Sequence, residues 1–478
     1  MGTDTIGKKL LPVVVIGAGP AGLTAAYELT RQGVPVVLLE QAPQIGGLAR
    51  TVEYRGFRFD IGGHRFFTKN HEVLSLWRQL LGDDLLVRPR LSRIFYRGLW
   101  FDYALRPLST LVNLGAAESI RILAGYLRRR LSPIAPETSL ADWITNRFGR
   151  RLFEIFFKGY TEKVWGIPCD EIRAQWAAQR IQGLSLRTAV FSMIFPVWHR
   201  GDRLRTLTDQ FLYPRLGPGM MWDALAGQIR ARGGELSLQS HAVALHHDGR
   251  RVTSIETIRG VQRIVLDMEQ VISTMPLSSL IRRLRPAPPV DVLEAAERLR
   301  YRDFLTVVLI VDLPDLFPDN WIYVHDDRVM AGRIQNFGNW STGMVPDRKR
   351  SCLGMEYFCF SGDELWSMDD DALTVLAREE LALLGLAPAD RVSDGTVVRV
   401  PKAYPVYDEG FADAVAVIRR YLSRFENLQT IGRNGMHHYN NMDHSILAGL
   451  CAARNLRGER HDLWSINTDE EYHEQCSR

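Results

Sequence analysis

A chain of 478 residues, 46% hydrophobic and 24% charged, has the composition of a globular protein large enough for two or three domains. Its 59 basic and 55 acidic residues give a formal net charge of +4, too balanced for a nucleic-acid binder of the usual kind. Cys169, Cys352, Cys359, Cys451 and Cys476 include no CxxC pair, which argues against a disulfide frame or a metal site and for reduced thiols in the cytoplasm.

Lys8 and Lys9 precede the apolar run LLPVVVIGAGPAGL, superficially a secretion signal, while MGTDTI puts Ile6 where an acylation site needs Ser or Thr. The glycines give that run another purpose. VVVIG reads as a buried parallel strand, AGLTAAYELTRQG as a helix and VPVVLLE as a second strand. Gly17, Gly19 and Gly22 have the G-x-G-x-x-G spacing, which allows a tight turn, close approach to a diphosphate and close helix–strand packing. The helix N-terminus favours that diphosphate's charge, and Glu40 is placed to accept hydrogen bonds from a ribose. No apolar segment reaches the roughly 20 residues of a membrane span.

Residues 41–50, QAPQIGGLAR, place a second glycine pair behind that acid. This stretch resembles the E-x6-GG-R-x-x-(S/T) pattern of glutathione-reductase-like flavoproteins, in the branch of amine oxidases, protoporphyrinogen oxidase and phytoene desaturases, although Thr51 here directly follows Arg50. The resemblance implies FAD, with Gly46 and Gly47 near its diphosphate and Arg50 adding charge to it.

Farther along, 104–214 carries apolar residues at helical spacing and reads as a helical insertion. Its Arg128, Arg129 and Arg130 are either a solvated helix face or an attraction for an anionic substrate or a membrane surface. GGELSLQSHAVALHHDGRRVTSIET reads as strands about a turn, with backbone near Val243 able to clasp adenine, and LDMEQVISTMP as another strand. FLTVVLIVDL and CLGMEYFCF alternate as sheet strands, and a helix over 370–385 stops at Gly385. ENLQTIGRNGMHHYNNMDHSILAGLCAARNL gives a strand, a glycine turn and a helix. The fold class is α/β. It combines a discontinuous, glutathione-reductase-like (Rossmann-type) FAD-binding domain (10–100, 215–290 and 426–460) with a helical insertion (101–214), a substrate-binding sheet domain (291–425) and a tail (461–478).

Four segments narrow the resemblance. DIGGHRFFTKNHEV, GYTEKVWG, YPVYDEGF and GRNGMHHYNNMDHSI resemble, in order, the GxH-aromatic, GYTxKQWG, YPV and GR-x-x-EYxYYDMDQVI segments of the UDP-galactopyranose mutases. That resemblance implies a reduced flavin attacking the anomeric carbon of an activated sugar, whose ring recloses as a furanose with no net oxidation. It puts Tyr160 against the uracil, Trp165 beside the sugar, and His64 with Gly62 and Gly63 beside the flavin ring. Arg433, Met442 and Asp443 would lie on the cofactor, Tyr439 on the substrate, and Arg333 and Arg180 on the diphosphate. For Tyr160 and Trp165 plain core packing is the competing reading, and His64 has a purely structural one. Arg302 is a further candidate beside Arg433 for flavin or diphosphate, with a surface ion-pair partner as the favoured reading.

Departures from the family bear on the substrate. IRAQWAAQRIQGLSL replaces the family's R-L-P-V-R-F stretch, and two diphosphate-gripping tyrosines become His437 and Asn440. The expected substrate is therefore a small molecule, a nucleotide-activated or lipid-linked sugar. The alternative is an oxidoreductase of the amine oxidase, protoporphyrinogen oxidase or desaturase type, taking hydride from an apolar or amine substrate. With no second G-x-G-x-x-G, electrons would come from an external reductant.

Overall fold

The structure, a computed structural model, describes residues 11–103, 105, 107–174 and 210–467. Five parallel strands form one sheet in the order Leu428–Thr430, Gln270–Ser273, Val13–Ile16, Val36–Leu39, Glu235–Ser237. They come from three separated stretches of chain, so the nucleotide-binding domain is discontinuous, as its sequence implies.

Side chains alternate along a strand. Val13 and Val15 pack on the helices Pro20–Arg31 and Met442–Asn455. Val14 and Ile16 pack on Leu277–Arg283, Val290–Arg298 and Phe411–Leu422. Coverage of both faces explains why the strands Val13–Ile16 and Val36–Leu39 are apolar at every position. Helices Pro20–Arg31 and Met442–Asn455 touch backbone to backbone, since a Cβ at Gly449 would come 2.5 Å from the Ala21 carbonyl oxygen. The helix whose start would face a diphosphate is thereby fixed to the helix that begins at Met442.

A seven-stranded mixed sheet forms the second body, in the order Val392–Pro405, Tyr301–Val311, Ser351–Cys359, Arg333–Asn336, Trp321–Val324, Ser92–Tyr96, Leu99–Asp102. Its second strand, Tyr301–Val311, is buried at all 11 positions. Leu305, Val307 and Leu309 pack under the helix Asp370–Leu383, while Val308 and Ile310 face Phe57 and Phe59. That helix ends just before Gly385, whose φ of +71° is the left-handed stop its sequence suggests.

The described part of the insertion is helical: Pro107–Leu114, Ala116–Leu131, Leu140–Phe148, Arg150–Phe153 and Gly159–Trp165, with a π-helical turn at Glu154–Lys158. Among the described residues no helix is long and apolar enough to cross a membrane.

Candidate active site

The dinucleotide groove is built by closely packed glycines, two of which leave no room for a side chain. Gly17 takes φ +100°, and a Cβ there would lie 2.0 Å from the Thr274 hydroxyl oxygen. At Gly22 a Cβ would strike the Gly17 carbonyl oxygen at 1.9 Å. Gly19 and Gly47 face each other. A Cβ on Gly47 would stand 3.1 Å from the Gly19 Cα, whereas one on Gly19 would stand 3.9 Å from the Gly47 Cα. The two loops are tied by Gly46 N–H donating to the Ala18 carbonyl at 2.8 Å.

No side chain caps the helix at Gly19, so its first N–H groups open onto this cradle. Glu40 is buried and accepts from Ala18 N at 2.7 Å and Ala42 N at 2.8 Å, which orients its carboxylate at the groove edge. Arg50 donates to the Gly47 carbonyl at 3.2 Å, and burial lowers its pKa against the pull of Glu40. Val243 is skipped in the pairing of Ser240–His247 with Val252–Arg259. Such a bulge leaves a backbone amide and carbonyl available to the edge of a base. Shape and donors fit FAD: Gly17, Gly19, Gly22, Gly46, Gly47, Glu40 and Val243 would hold its dinucleotide half.

Where the domains meet lies a cavity of about 710 Å³. Gly62, Gly63, His64, Arg333, Arg433, Tyr439, Met442 and Asp443, all expected at the site, line it, together with Tyr323, Tyr404 and Tyr407. A Cβ on Gly63 would come 3.0 Å from Gln335 Nε2, so the GGH backbone approaches the sheet closely. Burial, then the guanidinium groups of Arg433 and Arg333, push the His64 pKa down to about 3. Its imidazole is therefore neutral near pH 7, and its Nδ1 has no hydrogen-bond partner among the described residues.

The two arginines are held differently. Arg333 lies opposite Glu356 on the paired strand and forms an ion pair with it; Gln335 donates to the other Glu356 oxygen at 2.7 Å. Burial works most strongly against the Arg333 charge, but Glu356 together with the phenols of Tyr160, Tyr404 and Tyr323 outweighs it and keeps the pKa well above the ordinary value. Among the described residues Arg433 donates only to carbonyls, Asn440 O at 2.9 Å and Ala403 O at 3.3 Å, and its Cζ stands 4.6 Å from the Tyr439 ring centroid. Tyr439 and Tyr404 stack at 5.8 Å, with their planes 14° apart.

GYTEKVWG follows the π-helical turn, a feature that often marks functional helices. Tyr160 lies over His325 and meets Tyr323 edge-on at 5.6 Å. Trp165 is buried in the insertion's core and stacks at 6.4 Å on Tyr407. Neither ring lines the 710 Å³ cavity; each backs onto a phenol that does. Lys163 clamps the neighbouring loop, donating to Asp326 O at 2.6 Å and Ala331 O at 3.4 Å.

Arg302 is a correction. It keeps an ion pair, with Asp363 at 3.8 Å, but is buried rather than at the surface, and it donates to Phe358 O at 2.7 Å and Lys163 O at 3.2 Å, which ties the Tyr160 helix to the sheet. Arg180 lies outside the described residues. Glu356, Tyr323, Tyr407 and His325 are site residues that sequence reasoning missed. Two of them carried a signal, Glu356 as the lone charge in the buried strand CLGMEYFCF and Tyr407 by its place in YPVYDEGF.

The sequence profile of flavin containing amine oxidoreductases matches residues 20–457. A coproporphyrinogen III oxidase of Mycobacterium tuberculosis is 24% identical over 427 residues, covering 85% of this chain and 89% of that protein. Among solved structures, a reduced UDP-galactopyranose mutase superposes with a TM-score of 0.80 at 22% identity, covering 96% of this chain and 98% of the mutase. A putrescine oxidase bound to putrescine gives 0.60 at 16% identity, covering 94% and 99%. These structural likenesses establish the shared fold.

Proposed function

The chain belongs to the flavin containing amine oxidoreductase family, and we propose that within it the protein uses reduced FAD to rearrange a diphosphate-activated sugar, nucleotide- or lipid-linked, without net oxidation. The observation that carries this reading is the placement of Arg333 and Arg433 beside His64 in a cavity walled by tyrosines. With Glu356 spent on Arg333, Arg433 keeps its charge for a ligand. A cationic amine would meet an opposing field there, whereas a diphosphate would meet a matched one.

Bound FAD in its reduced form would supply a nucleophile for the anomeric carbon. The chain's own tasks follow from the geometry. Arg433, braced on Tyr439, would receive the leaving diphosphate, and Arg333 would assist from the sheet. Phenols at Tyr404 and Tyr439 would hydrogen-bond the sugar, and neutral His64 would offer an uncharged ring nitrogen. Tyr160 and Trp165 would shape the base and sugar ends from behind Tyr323 and Tyr407. The reaction would belong to cell-surface polysaccharide or glycoconjugate assembly, in the cytoplasm, with electrons from an external reductant.

A panel of UDP-sugars and a polyprenyl-diphosphate sugar, incubated under dithionite, tests this. Isomer formation without consumption of reductant supports it; no isomer and no tighter binding on reduction would sink it. The similarity to an oxidase over most of the chain favours one second reading, hydride transfer from substrate to oxidised FAD. That reading requires a substrate that bleaches the flavin stoichiometrically under anaerobic conditions.

A further inference from the structure

The helix Ala116–Leu131 is amphipathic the wrong way round for a helix that only fills a core. Ile122 is its one buried apolar residue, seated among Leu140, Ile144 and Phe148. Its other large aliphatic side chains face outward: Ile120 is 67% exposed, Leu127 60% and Leu131 88%, with Leu123 at 38%. At about 100° per residue these four fall within roughly 40° of one line along the helix. Val112, 70% exposed, adds to the patch from the preceding helix.

Arginines border this stripe on both sides. By the same helical arithmetic Arg128 and Arg121 lie about 100–120° to one side of Leu127, and Arg130 about 60° to the other. The only acid on the helix, Glu118, is turned away and taken up by Arg151 and Arg121. An apolar stripe between arginines whose long stems can reach upward is the pattern of a helix lying in the headgroup layer of a bilayer.

We propose that this face docks the protein on an anionic lipid surface, with the stripe entering the acyl boundary and Arg128 and Arg130 meeting lipid phosphates. Charge selects this occupant over a second copy of the chain. A twofold interface would set the patch against itself and bring its arginines together. The inference is independent of the reaction catalysed, although a lipid-linked substrate would give the docking a purpose.

The full-length holoprotein is floated with vesicles of phosphatidylcholine alone or mixed equally with phosphatidylglycerol. Binding to the mixed vesicles only, weakened by about 0.5 M salt, is expected. R128S/R130S should lower the partition coefficient roughly tenfold or more, and L127D should abolish binding. Both variants should keep the flavin spectrum and thermal midpoint of the parent, because the altered side chains are exposed. The proposal is overturned if the parent ignores anionic vesicles or binds neutral ones equally well. It is also overturned if L127D instead converts a dimer to a monomer in sedimentation with no vesicle binding by the parent.

Discussion

Tyr160 and His325 lie face to face, with ring centroids 4.8 Å apart and planes within 10° of parallel. Burial drives the imidazole pKa down to about 3, so the stack is between two neutral rings. The His325 Nδ1 has no partner among the described residues, and the ring is held by a hydrogen bond to the Ile155 backbone and by the stack with Tyr160. Y160F should therefore keep the fold and change uridine-nucleotide affinity by no more than about twofold. Y160A should weaken that affinity by about 1–3 kcal/mol if the ring carries a base, as aromatic platforms do. Calorimetry with UDP, read beside thermal melts, separates the cases. A lower melting point with unchanged affinity in Y160A would assign the ring to packing alone.

The facing pair Gly19 and Gly47 allows cofactor binding to be separated from folding. A Cβ on Gly19 meets only an ordinary contact at 3.9 Å, but it projects into the cradle. One on Gly22 meets a carbonyl at 1.9 Å. G19A should thus fold as apoprotein with near-parental stability yet bind FAD at least tenfold more weakly, because its methyl group occupies the diphosphate's approach. G22A should lower apoprotein stability by several kcal/mol, through overpacking against backbone. Flavin fluorescence titration of the refolded apoproteins measures the first effect, and urea unfolding the second. Equal FAD affinity in G19A and parent would remove the diphosphate from this loop.

These contrasts show which parts of the molecule were legible in its sequence. The strand–glycine–helix–acid order fixes its own geometry over a short span, so Gly17 to Glu40 could be read directly. The periodicity of 370–385 likewise marked a helix and its glycine stop. Tyr160 was legible as an unusual residue but not in its surroundings, since His325 reaches it from a strand end far along the chain. An arginine beginning an apolar strand looks like a surface ion-pair partner, and Arg302 has the ion pair, with Asp363, but not the surface position. Only the fold supplies the carbonyls of Lys163 and Phe358 that let its charge be buried. Glu356 and Arg333 are distant in sequence and became a pair through strand register.

Acid and base should act on stability through different groups. Burial raises the Asp60 pKa from 3.8 to about 7, although Tyr213 at 2.7 Å and Thr51 at 2.8 Å donate to it. Between those values the native chain binds the extra proton, so this group's contribution falls as pH rises and is level above 7. The shift corresponds to a loss on the order of 4 kcal/mol. His64 and His325, lowered to about 3, and His437, lowered to about 4, act in the opposite sense. The unfolded chain takes up their protons below the ordinary value of 6.5, so stability drops as pH falls from there. The parent should therefore be acid-labile. D60N should lose stability relative to the parent near about pH 5 and regain it near about pH 8. Urea midpoints across that range measure the difference, and a difference independent of pH would mean that Asp60 is already ionised in the native state.

Arg333 and Glu356 occupy opposed positions on neighbouring strands, with the carboxylate wholly buried and the guanidinium 22% exposed toward the cavity. Removing one partner of a buried pair costs about 3–5 kcal/mol, because the other charge loses its counterion. E356Q should be destabilised by about that much, but the guanidinium it leaves behind can be satisfied by an anion. UDP or pyrophosphate should therefore raise the thermal midpoint of E356Q by more than that of the parent. R333M should lose both stability and anion response, since it leaves a carboxylate facing the ligand. The two variants thus move anion affinity in opposite directions if the pair sets the charge of the cavity. If both weaken UDP binding equally, the pair only holds two strands together, and Arg433 must carry the anionic ligand without help from the sheet.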